Sequence, residues 1–514
     1  MDAYLEQLGH IAPECVLTVV ALTALVWDLV KQGRDSNQVA YLTLGGLGIT
    51  ALLLLQQWRL LTGMSPLVAG GALIEPVFGM VTIDLFGTFF KLFTVGSLAI
   101  VTLFVLLDRN ERKHGIGEYY FLLLGAAIGI FFMVSTNNLL LLMLGLELLS
   151  LASYSLAGFH KGDKRSAEAA LKYVIFGGLS AGVMLYGISL LFGLTGTLDL
   201  IAMGTGGPDG FPVGLAAQFE SSPVPVAVAV VLVLAGFAYK VSVVPFHFWT
   251  PDVYEGAPTP VTTFLAVASK AAGFAVLLRF IGALFLGNGV EDTVSAYGER
   301  VGLLLAILAA VTMTLGNLSA LRQTNLKRLL AYSSIAHAGY VLMGLATMTT
   351  TGYSASIFYL AAYYFMNLGA FGFLLYFEGA RNATKVDDLA GLGWKYPVVS
   401  ITMIVFLVSL TGLPPTVGFY GKYLLVVEGI DAGLGWLVMV MMVNSVVSLF
   451  YYFRIGKALF LADPSEAPTT PQPFLAGIIV ALGILTLVFG VWNAGLTQWT
   501  IESPASLGLS DVPK

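Results

Sequence analysis

Long apolar runs separated by short polar connections account for most of the chain. About 20 apolar residues in helical form span the ~30 Å hydrocarbon core of a bilayer, and fourteen runs approach or exceed that length. They lie near Ile11–Leu29, Val39–Leu55, Ile83–Leu107, Tyr119–Ser135, Leu139–Gly158, Ala167–Leu194, Val224–Val244, Pro260–Leu286, Val301–Leu321, Leu329–Thr347, Ser354–Phe377, Val398–Ile430, Trp436–Phe453 and Phe474–Val491. Proline ends the seventh at Pro245 and interrupts the twelfth at Pro414-Pro415. A proline frees backbone carbonyls that lipid cannot satisfy, so both breaks should face protein or water. The longest polar connections, Thr195–Pro223, Gly287–Arg300 and Ala462–Pro473, are too short to separate soluble domains. The pattern predicts an all-α polytopic membrane protein of about fourteen transmembrane helices. We expect three N-terminal transmembrane helices in residues 1–117 and two five-helix repeats in 118–286 and 300–461. A C-terminal helix and tail would occupy 462–514. Each repeat carries its broken helix in fourth place, and an odd number of helices inverts the second repeat relative to the first.

Composition agrees with that picture. The 514 residues are 57% hydrophobic and 11% charged, whereas soluble domains carry about 25% charged residues. Of the 25 basic residues, sixteen fall in the odd-numbered connections; only Arg59, Arg300 and Lys514 fall in the even ones and the tails. The positive-inside rule then places the odd connections in the cytoplasm and both termini on the outer side. Asp2 and Glu6 precede the first run with no basic residue, unlike a cleavable signal, so that run should remain as a helix. The lone Cys15 excludes an internal disulfide, a cysteine-ligated iron–sulfur cluster and a thiolate zinc site. There is no GxGxxG or Walker-type loop, so neither a bound cofactor nor a metal is expected in this chain, and no nucleic-acid partner.

The remaining six basic residues, Lys91, Lys172, Lys240, Lys270, Arg279 and Lys422, fall inside spans. A charge at the bilayer centre costs roughly 3 kcal/mol on insertion scales, and such groups usually mark an ion path or proton relay. Glu147 lies in LGLELLSLASY (Leu144–Tyr154), and Lys240 lies five residues before Pro245. A carboxylate beside a buried lysine would hold it charged, and loosening the pair would let the lysine release its proton. Lys270, in FLAVASKAAGF (Phe264–Phe274), is too deep to snorkel easily. Lys422 closes SLTGLPPTVGFYGK (Ser409–Lys422) as the second-repeat counterpart of Lys240, on the other side of its break. His337, near the middle of the tenth run, has the ordinary imidazole range needed to bridge two lysines. His247 and His114 sit nearer the surface, Lys172 is an entry-path or snorkelling residue, and Arg279 reads as an interfacial anchor. Asp84 and Lys91, seven residues apart, read as neutralising each other.

Five strings in order carry a family resemblance: LGLELLS with Glu147, the run from Lys240 through Pro260, Lys270 downstream, TNLKRLLAYSSIAHAGY around His337, and GLPPTVGFYGK ending on Lys422. Together they resemble the antiporter-like membrane subunits of respiratory complex I and their relatives, most strongly from about Gly117 to Gly429. Lysine rather than glutamate at Lys422, and no long lateral helix after the fourteenth run, narrow the likeness within that family. The resemblance implies a proton-translocating subunit of an NADH-quinone oxidoreductase in a bacterial inner membrane. Glu147 and Lys240 would be its coupled pair, Lys270 the central relay, Lys422 the terminal exchanging lysine and His337 a connecting group. It also implies NAD, FMN, iron–sulfur clusters and quinone in partner subunits. Those partners would include an adjacent antiporter-like subunit M and small subunits such as K and J. A multi-subunit Na⁺/H⁺ antiporter or membrane-bound hydrogenase subunit, or a scaffold with vestigial charges, are the rival readings.

Overall fold

The computed structural model describes residues 7–31, 36–63, 76–108, 115–205, 214–286, 296–381, 383–463, 471–505 and 507. The helices are α1 (Ala12–Lys31), α2 (Ser36–Gly63), α3 (Leu85–Leu107), α4 (Ile116–Val134), α5 (Leu139–Ala157), α6 (Lys164–Thr195), α7 (Pro223–Val241) and α8 (Thr259–Phe285). There follow α9 (Ala296–Ala320), α10 (Leu326–Ala346), α11 (Thr350–Arg381), α12 (Pro397–Thr411), α13 (Val417–Asp431), α14 (Gly435–Leu461), α15 (Pro473–Val491) and α16 (Ala494–Ala505). Thirteen helices among the described residues are long and apolar enough to cross a membrane, and the expected twelfth span is divided into α12 and α13.

Several helix starts follow from their capping residues. Asp84, Asn138, Asp163 and Asn325 precede α3, α5, α6 and α10, and each side chain accepts a hydrogen bond from a first-turn N–H. The two breaks share a geometry. Ser242 and Gly412 take left-handed conformations after α7 and α12 (φ 65° and 89°). The next residue's N–H then bonds back to the last turn, Val243 to Ala238 at 2.8 Å and Leu413 to Val408 at 3.1 Å. This is a Schellman-type ending, which satisfies carbonyls that a proline break would orphan. After the first break the chain forms a short helix, Trp249–Gly256, before α8.

Burial separates the helices in a way hydropathy does not. α8 is buried along its length, and α10 and α11 nearly so, making them the centre of the bundle. α5 instead exposes Leu144, Leu148 and Leu151 while burying Gly145, Leu149 and Ser150. Close packing relies on small residues, as is usual where lipid competes for apolar surface. A Cβ on Gly129 would lie 2.6 Å from the Gly145 carbonyl oxygen, and one on Gly339 would lie 2.6 Å from the Met313 nitrogen. α4 is thereby seated on α5, and α9 on α10.

Two expectations about buried charges are corrected. Lys91 is not neutralised by Asp84; it pairs with Glu14 of α1 at 2.5 Å. Asp84 pairs with Arg279 at 2.8 Å. Arg279 is only 2% exposed and also donates to Asn137 Oδ1 (3.1 Å) and the Val134 carbonyl (2.9 Å), so it is a buried clamp and not an interfacial anchor. Asp84 caps α3 in an extended conformation, so the seven-residue spacing does not aim it at Lys91, and each pairs with a residue of another helix. α16 was not foreseen either; it packs on α3 and α11, with Trp499 5.1 Å from Trp58 of α2.

Candidate functional site

Glu147 and Ser150 lie one turn apart on α5, facing the C-terminal end of α7. Lys240, 2% exposed, donates to Ser150 Oγ at 3.3 Å. It forms no ion pair with Glu147, whose Oε1 is buried without a hydrogen-bond partner. The carboxylate is therefore one helical turn from the hydroxyl that holds the ammonium.

Lys270 follows a π-helical turn, Leu265–Ser269, in the middle of α8. Such turns are frequent at functional sites because they re-aim a side chain within a helix. Its Nζ donates to the Ser334 carbonyl at 3.0 Å and also to Ser334 Oγ on α10. Gly273, one turn further along α8, leaves room for the Lys240 stem; a Cβ there would lie 3.2 Å from Lys240 Cγ. That glycine is what lets α8 pack against the Lys240 end of α7.

His337 lies three residues after Ser334 and makes a hydrogen bond to neither lysine. Its Nδ1 lies 2.7 Å from Tyr359 Oη and its Nε2 3.2 Å from Tyr452 Oη, which in turn bonds Ser333. The expected direct bridge between lysines is thus replaced by tyrosine hydroxyls from α11 and α14. Tyr340, three residues on again, places its ring 4.6 Å from Lys422 Nζ. Lys422 donates to the Thr411 carbonyl (2.8 Å), the Leu410 carbonyl (3.3 Å) and Ser445 Oγ (2.8 Å). The freed carbonyl end of α12 therefore holds the ammonium, an arrangement favoured by the helix dipole.

Lys172 takes no part in this line. It pairs with Asp252 (2.6 Å) and Glu168 (2.7 Å), and Arg328 pairs with Asp252 (2.5 Å) and Glu255 (3.2 Å). Burial pushes the Asp252 carboxyl up, but the bonds from Lys172 and Arg328 outweigh it and hold it below the usual carboxylate range. This cluster stays charged at neutral pH and ties α6 to α10. His247 is buried beside Phe248 at the first break. His114 lies outside the described residues. No group of three or more His, Cys, Asp or Glu suited to a metal ion occurs among the described residues.

Sequence reading missed Ser150, Ser334, Tyr340, Tyr359, Tyr452, Ser445 and Gly273. The first three carry a usable signal, since each sits three residues from Glu147 or His337 and hence on the same helix face. Gly273 stands at the same spacing from Lys270. Tyr359, Tyr452 and Ser445 arrive from other helices and have no local signal.

The transmembrane family described as NADH:quinone oxidoreductase/Mrp antiporter matches residues 136–448. The chain is 40% identical to NADH-quinone oxidoreductase subunit N of Anaeromyxobacter sp., over 98% of each chain. It is 43% identical to subunit N 2 of Sorangium cellulosum, over 97% of this chain and 98% of that one. Among solved structures, a chain of respiratory complex I from Thermus thermophilus superposes with a TM-score of 0.76 at 34% identity, covering 95% of this chain and 98% of that one. A chain of the Mrp complex from Dietzia sp. shares the fold, with a TM-score of 0.80 at 22% identity over 98% of both. With the buried lysines already placed on broken and π-turned helices, these likenesses lead to one conclusion: the chain belongs to the NADH:quinone oxidoreductase/Mrp antiporter transmembrane family.

Proposed function

We propose that this integral membrane protein is a proton-translocating subunit of an NADH-quinone oxidoreductase, of the subunit N type. One observation carries the mechanism. Ser334, His337 and Tyr340 follow one another along a single face of α10 and lead from Lys270 to Lys422. Hydroxyls both donate and accept, so Ser334, Tyr359 and Tyr452 are suited to pass a proton that lysines and an imidazole take up and release. A field change at Glu147, one turn from the Ser150 hydroxyl that holds Lys240, would release the ammonium from it. The proton would then move inward along Lys270 and His337, and Lys422 would discharge it.

The repeat boundaries 118–286 and 300–461 are supported by the matching Schellman-type breaks and by the matching glycine seats between the first two helices of each unit. With Cys15 as its only cysteine, the chain cannot ligate an iron–sulfur cluster through cysteines, and on this reading NAD, FMN, iron–sulfur clusters and quinone belong in partner subunits. Those partners are an adjacent antiporter-like subunit M and small subunits such as K and J. The basic odd-numbered connections face the bacterial cytoplasm and both termini face outward. The full-length relatives at about 40% identity favour this reading over a free-standing Na⁺/H⁺ antiporter.

The test is proton pumping by the intact complex in sealed vesicles, comparing wild type with Lys240→Ala. Pumping and coupled quinone reduction should both fall several-fold while the complex remains assembled. Unchanged pumping in an assembled complex would remove Lys240 from the route.

A further inference from the structure

At the end of α9 the chain concentrates positive charge that no acid matches. Arg322, exposed just beyond Ala320, lines the mouth of a groove of about 770 Å³ between α9 and α14. The walls are mostly apolar, from Ala310, Val311 and Leu318 on one side to Val440 on the other, with Thr314 partway along. Arg454 of α14 donates to the Leu321 carbonyl (3.2 Å) and the Gln323 carbonyl, which places its guanidinium on either side of Arg322 in the chain. Its Nε is buried without a partner. Lys457, three residues further along α14, is exposed. Among the described residues, none of these three cations has a carboxylate within ion-pair distance. Their neighbours differ: Lys327 pairs with Glu378, and Arg328 with Asp252 and Glu255.

We propose that this groove binds an anionic phospholipid, with the phosphate on Arg322 and an acyl chain lying between α9 and α14. Arg454 and Lys457 supply the attracting field. Basic pockets between transmembrane helices are suited to anionic head groups, and a guanidinium fork matches phosphate geometry. Length decides against a protein helix. From Ala310 to Arg322 the groove follows α9 for roughly 18 Å at 1.5 Å per residue, close to half of the ~30 Å hydrocarbon core. One acyl chain of a single leaflet fills that height, whereas a packed transmembrane helix would need a groove about twice as long. The groove also has a repeat-related counterpart. α4 and α8, the first and last helices of the first unit, are covered by α1 and α3, whereas α9 and α14 leave this surface open.

The intact complex in nanodiscs would be photolabelled with phosphatidylglycerol carrying a photoactivatable acyl chain, and separately with the phosphatidylcholine analogue. Labelled peptides would be mapped. The phosphatidylglycerol probe should label the segments around 310–322 and 440–457 at least five-fold more than the phosphatidylcholine probe. Arg322→Gln combined with Lys457→Gln should bring it down to the phosphatidylcholine level. Equal labelling by both probes, or labelling unaffected by the double substitution, overturns the proposal. Absence of label from both segments, as expected if another subunit covers the groove, overturns it too. If the double variant fails to assemble, Val311→Trp fills the groove and keeps every charge. Loss of label in that variant supports the site, and undiminished label overturns it.

Discussion

Gly412 has a φ of +89°, and a Cβ there would lie 2.6 Å from Lys422 Cδ. Gly412→Ala therefore carries two costs, the left-handed backbone, about 1–2 kcal/mol, and displacement of the Lys422 stem from the carbonyls of Leu410 and Thr411. Gly433 has a similar φ of +73° but nothing within 4 Å of its Cβ position, so Gly433→Ala carries only the first. Pumping in sealed vesicles should fall several-fold in Gly412→Ala and stay near wild type in Gly433→Ala. Equal effects of the two would mean that the contact with Lys422 does not matter. Lys240, Lys270, Lys422 and Glu147 could be singled out from the chain because a charge in an apolar run is conspicuous and costly. The groups that hold them are serine, tyrosine and glycine, which are ordinary in membrane helices and gain meaning only from what they face.

Helices were legible wherever an apolar run coincided with a cap or a proline. Asn138 and Asn325 stand immediately before α5 and α10, and both prolyl breaks fall where the backbone leaves the helix. Which helices touch was not legible, because lipid and a protein interior are equally apolar and hydropathy is indifferent between them. Glycine spacing comes closest to a signal. A Cβ on Gly339 would meet the Met313 nitrogen at 2.6 Å, whereas one on Gly125 of α4 would meet nothing within 4 Å. Gly339→Leu should force α9 and α10 apart. Overpacking of this kind typically costs about 1–3 kcal/mol. Native-gel abundance and thermal midpoint of the complex should drop for Gly339→Leu and hold for Gly125→Leu. The opposite ranking would contradict the packing described. The division of the twelfth span was legible at Pro414-Pro415, whereas the presence of α16 depended on contacts across the molecule.

Two buried ion pairs join the three N-terminal helices to the rest of the molecule, or to each other. Glu14–Lys91 links α1 to α3, and Asp84–Arg279 links the start of α3 to α8, the helix that carries Lys270. Removing one member of a buried pair costs about 3–5 kcal/mol, whereas neutralising both is often tolerated. Arg279→Met should therefore strongly reduce assembled complex in membranes. Arg279→Met combined with Asp84→Asn, which keeps an Asx cap on α3, should recover most of it. If the double variant is no better than the single one, Arg279 acts through its other bonds, to Asn137 and Val134. At this scale the contributions of sequence and tertiary structure separate. The chain by itself determined the membrane-spanning helices, their breaks, the alternation of basic connections and the buried charges, because each depends on local composition measured against water and lipid. Tertiary structure decided which charge meets which partner, since Asp84 and Lys91 stand seven residues apart yet pair with α8 and α1. It also decided that His337 makes its hydrogen bonds with tyrosines and not with lysines. Pairing depends on distances between helices far apart in sequence, and those distances are set by packing that an evenly apolar sequence does not record.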